Sequence, residues 1–164
     1  MADKARVVLT DGLLAGFIGY LAIVIVITLG DLAQGRPGFH TAGLLGAVLF
    51  YDLGDPVTVV SPWPGPVLAY NGLHMVLMLG FGILFAWLVS VAERGPDFWY
   101  ISGITLLFVL LHALGLPLLL PDAVTAGVSP WVMTFATTLA MVAMGAFLWR
   151  THPLLRSSLR AQPD

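Results

Sequence analysis

Four stretches of this chain lack any charged side chain for long enough to cross a lipid bilayer. Gly12 to Gly30 is nineteen uncharged residues between Asp11 and Asp31, and Pro56 to Ala92 is thirty-seven. Two more runs extend from Phe98 to about Leu120 and from Pro130 to Trp149, where Arg150 stops the second. A hydrocarbon core about 30 Å thick needs about 20 apolar residues in a helix. The beginning of the thirty-seven-residue run, PVTVVSPWPGP, carries four prolines and cannot be continuous helix, so its span is expected from Pro66 to Ala92. Backbone in lipid must satisfy its own hydrogen bonds, and no run shows the alternation of a barrel strand. The expected fold is all-α and integral to the membrane. It is a single domain, 1–164, with four transmembrane helices near 11–30, 66–92, 98–120 and 130–149.

Composition excludes the main alternatives. Apolar residues are 59% of the chain and charged residues 10%, against about 45–50% and 25% in ordinary soluble domains. A surface built from this pool cannot be wet. A soluble enzyme and a disordered tail are excluded, and seven Lys and Arg residues cannot build a phosphate-binding face for nucleic acid. With no cysteine there is no disulfide framework, thiolate zinc site, Cys-ligated iron–sulfur cluster or covalently attached haem.

Basic residues set the expected orientation. Lys4, Arg6, Arg94, Arg150, Arg156 and Arg160 share one side if the four spans alternate, leaving only Arg36 on the other. By the positive-inside rule both termini are cytoplasmic, in a bacterial-type inner membrane. Trp63 and Trp131 then mark the outer interface, and Trp99 and Trp149 the inner one. The first span is longer than a signal-peptide core and no A-x-A site follows it, so it is expected to be retained. Within the outer loop, 38–51 is uncharged but too short to cross, and reads as an interfacial or re-entrant helix. Residues 150–164 form a basic cytoplasmic tail that suits a topology anchor. Ser61-Pro62-Trp63 and Ser129-Pro130-Trp131 fall at corresponding places before two spans, which fits either a duplicated hairpin or two ordinary helix starts.

Polar groups at membrane depth are the candidates for chemistry. His74 and His112 each lie about eight residues from the outer end of their spans, at roughly 12 Å depth for a rise of about 1.5 Å per residue. Asn71 shares the face of His74 and is a supporting neighbour. Three readings compete. The pair could ligate a b-type haem axially, as imidazoles on facing bundle helices can. It could form a metal or proton site with Asp31 or His40. Or each imidazole could make one interhelical hydrogen bond and bind nothing. Pro117 is expected to kink the third helix near His112.

Gly12, Gly16 and Gly19 form a small-residue face on the first helix, suited to close packing within the chain or to self-association. No phosphate loop, H-E-x-x-H or acidic pair within a span is present, so an enzyme is not indicated. The reading that follows is a small accessory or cofactor-holding subunit of a larger membrane assembly, with redox complexes the natural host. Its partners are the lipid bilayer and other membrane subunits. An oligomeric transporter or channel for a proton, metal ion or small solute is the alternative, and a ligand-free scaffold or assembly factor a third.

Overall fold

The computed structural model describes residues 2–51, 64–93, 103–105, 107–108, 127 and 129–153. Four helices organise them: α1 (Ala2–Ala33), α2 (His40–Tyr51), α3 (Pro64–Ala92) and α4 (Pro130–Thr151). Of these, α1, α3 and α4 are long and apolar enough to cross a membrane. The helix α1 begins well before the expected span, because Ala2 to Thr10 continues the helical ladder past the charges at its start. Most of the expected span at 98–120, including Pro117, lies outside the described residues, and so do Trp63 and Trp99. Pro130 opens α4 at the position where a missing N–H is harmless, with Ser129 extended before it.

The helix α1 is the centre of the packing. Its neighbours α3 and α4 lie on two of its sides and hardly meet one another. Contacts along α1 fix direction. Gly12 lies against Ile83 and Gly16 against Met78, so α3 runs antiparallel to α1. Gly19 meets Met144 and Gly30 meets Val132, so α4 is antiparallel to α1 as well. It follows that α3 and α4 point the same way.

Glycine makes the α1–α3 approach possible. A Cβ added at Gly12 would stand 2.5 Å from the Ile83 Cα, and one at Gly82 would strike the backbone of Gly12 and Gly16. Backbone meets backbone along this seam, with no side chain to move aside. The glycine face of α1 is therefore engaged within the chain: Gly12 and Gly16 by α3, Gly19 by the side chains of Met78 and Met144. That engagement is the packing within the chain expected of these three residues. Around the seam, Ala15, Ile23, Met78, Phe85, Ala140 and Met144 form the buried core. Phe108 joins it, its ring 4.5 Å from Phe81 and edge-on to it.

Outside this core, large apolar side chains face outward on every long helix: Ile25 on α1, Val76 on α3, and Phe135 and Val142 on α4 are all more than half exposed. Trp131, at the start of α4, is 84% exposed. A soluble bundle would place polar residues there. This surface is made for lipid.

Candidate functional site

The chain leaves α1 through a tight helix stop. Gly35 takes the left-handed conformation with φ 71°, its N–H donates to the Leu32 carbonyl, and the Arg36 N–H donates to that of Asp31. This is the Schellman pattern, and Pro37 follows it as a residue that cannot continue the helix. Phe39, also left-handed at φ 64°, then starts α2 with its carbonyl accepting from Gly43. A phenylalanine cannot cap a helix.

Asp31 supplies the missing cap from the preceding helix. Its Oδ2 accepts from the Thr41 backbone N–H at 2.9 Å and its Oδ1 from the Thr41 hydroxyl at 2.6 Å. The carboxylate is 1% exposed and sits at the positive end of the α2 dipole. Arg36 reaches across to donate from Nη1 to the Gly127 carbonyl. On its other flank α2 rests on α3, where Gly46 abuts the Pro66 backbone. At 12 residues and about 1.5 Å per residue, α2 is too short to cross a bilayer.

His74 lies beneath this lid. Its ring is buried between Tyr20, centroids 5.8 Å apart, and Tyr70 at 5.6 Å. Asn71, one turn away, accepts from the Tyr20 hydroxyl at 3.3 Å and donates to the Val67 carbonyl at 2.8 Å. Ile27, Phe39, Ala42, Tyr70, Asn71 and His74 are among the walls of a cavity of about 10 Å³. That volume admits one water molecule. A macrocycle would need the imidazole to leave its slot between the two tyrosine rings.

Of the residues expected to share a site, His74 and Asn71 are brought together. His112 lies outside the described residues. Asp31 is turned to Thr41, and the Nδ1 of His40 is buried with no hydrogen-bond partner among the described residues. No three His, Asp or Glu side chains among the described residues gather in a way that could hold a metal ion. The threonines at membrane depth on α4 are engaged by their own helix: Thr134, Thr137 and Thr138 donate to the carbonyls four residues earlier at 2.8–2.9 Å.

A second polar cluster, at the other end of the bundle, did not stand out in the sequence. His152, in the segment read as a basic tail, is 5% exposed. Its Nδ1 lies 3.1 Å from Glu93 Oε1 and its Nε2 3.4 Å from Asp11 Oδ2. One signal for it existed. Asp11 and Glu93 each mark the end of an uncharged run and His152 lies two residues past Arg150, which ends another, and antiparallel packing brings these ends to one level. Reading depth only for the mid-span histidines passed over it. No family model, no curated protein and no solved structure matches this chain.

Proposed function

We propose that the protein is a small integral-membrane component that acts through packing within a larger assembly, an accessory subunit rather than a conduit or catalyst. The observation that carries this reading is the pairing of an apolar outward surface with polar groups inside the bundle that bond to the protein itself. Asp31 caps α2, Asn71 joins Tyr20 to the α3 backbone, and the buried Thr137 bonds to its own helix. A conduit needs polar groups facing a wet path. Here Asp31 and Asn71 face neighbouring helices.

In this reading the segment 98–120 makes a fourth crossing. Its support is that α3 and α4 point the same way and hardly meet, while Phe108 packs against Phe81 and Phe85 of α3. Four crossings put both termini in the cytoplasm, with α2 at the outer face. A cofactor-holding form of the subunit, with haem between His74 and His112, requires His74 to swing out from Tyr20 and Tyr70.

The absorption spectrum and native mass of gently solubilised protein test the proposal. Co-purification with other membrane chains, without a Soret band, is the expected outcome. A Soret band lost in both His74→Ala and His112→Ala would establish the cofactor-holding form instead. A colourless assembly of two or four identical chains would overturn the accessory reading in favour of an oligomeric transporter.

A further inference from the structure

Three ionisable side chains that the packing role leaves unused meet at the end of the bundle that holds the N-terminus. Each comes from a different helix. Asp11 belongs to α1, Glu93 directly follows α3, and His152 is the C-terminal cap of α4, its N–H donating to the Leu148 carbonyl at 3.0 Å. The two carboxylates stand at opposite nitrogens of one imidazole ring, at 3.1 and 3.4 Å. The ring separates them, so a single metal ion could not reach a ring nitrogen and both carboxylates at once.

The arrangement suits a proton. A neutral imidazole has one N–H and one lone pair. Between two carboxylates it would turn that lone pair on an oxygen, leaving a repulsive contact in a buried place. The imidazolium has two N–H groups and can donate to both sides with charge-assisted hydrogen bonds. The C-terminal end of a helix carries partial negative charge, so the end of α4 favours the same state. His152 Nε2 is buried and has no hydrogen bond of good geometry among the described residues, only the approach of Asp11. Asp11 from α1 and Glu93 from the end of α3 are the titratable groups recorded against the ring, and Arg150 stands two residues earlier on α4.

We propose that His152 is the pin of a proton-operated clasp: taking up one proton from water ties α1, α3 and α4 together at this end, and losing it releases the end of α4. No other bond changes. The sign follows from the charges. The clasp needs the ring protonated and the carboxylates ionised, so base that removes the ring's proton opens it, and so does acid that neutralises the two carboxylates.

Thermal unfolding of the full-length protein in nanodiscs, followed against pH, tests this. The wild-type midpoint should fall as the pH is raised from mildly acidic to alkaline. His152→Gln should lose that dependence, and Asp11→Asn and Glu93→Gln should each shrink it. Superimposable alkaline limbs for wild type and His152→Gln would overturn the proposal. Should the variants fail to fold, nitrogen-15 spectra of the wild-type histidine rings decide. A ring with both nitrogens protonated at mildly acidic pH, and protons protected from exchange with water, is expected. The absence of such a ring overturns the clasp.

Discussion

The two ends of the bundle engage carboxylates in different ways. At the α2 end, Asp31 accepts from a backbone N–H and a hydroxyl ten residues away. At the other end, Asp11 and Glu93 meet an imidazole from the far end of the chain. Backbone amides and hydroxyls keep their protons throughout the range in which imidazole titrates. The first attachment therefore keeps its donors where an imidazole would lose one. Under the clasp proposed above, the second does not. A helix cap and a carboxylate–imidazole cluster both hold acids against another helix, and the difference lies in whether the donor can lose its proton.

That contrast requires the two ends to lie on opposite sides of a membrane. The chain has no cysteine, so single cysteines can be introduced without background. With the expected orientation, Gln34→Cys should react fully with a membrane-impermeant thiol reagent in intact cells. Ala5→Cys should react only after lysis. Labelling of both from outside, or of neither, would break the two-sided comparison.

The glycine seam holds the two ends in register, and overfilling it should disturb both. Gly16→Leu would drive a side chain into the Met78 carbonyl. Overpacking typically costs about 1–3 kcal/mol, and a backbone obstacle puts this site at the upper end. The thermal midpoint and the yield of folded protein should both drop sharply. A fold that tolerates Gly16→Leu would mean that α1 and α3 do not touch along this face.

A smaller and more local loss is expected at the α2 end. Asp31→Ala leaves the Thr41 N–H and hydroxyl without their acceptor, worth about 1–3 kcal/mol for buried groups. Amide exchange should accelerate through the first turn of α2, while the α1–α3 seam stays protected. The pH dependence assigned to the other end should survive unchanged. If it vanished with Asp31→Ala, the two ends would be one coupled system.

The smallest effect is expected where nothing is packed. Among the described residues, an added Cβ at Gly145 meets no atom within 4 Å beyond its own helix backbone. Gly145→Ala should be neutral or raise stability by up to about 1 kcal/mol through helix propensity alone. Destabilisation there would point to a close neighbour on that face of α4, which an assembly partner would supply.

Much of the fold was legible because lipid imposes a strong rule. An uncharged run of about 20 residues has few alternatives to a helix. The starts of α3 and α4 follow from prolines that fit only the first turn of a helix. The short α2 was visible as an uncharged apolar stretch too short to cross a bilayer. Depth was legible too, and it drew attention to His74. What depth could not show is rotation about the helix axis. Gly12, Gly16 and Gly19 announce close approach to some surface, and only the packed chain selects Gly82 and Met144 as that surface. Asp31 was visible as a polar residue at a helix end, yet its role as the cap of another helix depends on the reversal through Gly35 and Phe39.

The sequence by itself determined that this is a membrane protein, that the segments of α1, α3 and α4 are long apolar helices, and where small residues permit contact. Those properties are set locally, by the free energy of moving each segment's side chains and backbone out of water. Tertiary structure alone decided which ionisable groups meet. His152 stands in a basic tail in the sequence and between two carboxylates in the bundle, because α3 and α4 flank α1 in a common direction and bring the ends of both to the level of Asp11. Charge pairing depends on distances of a few ångströms between groups remote in the chain, and no local property of Asp11, Glu93 or His152 carries that information.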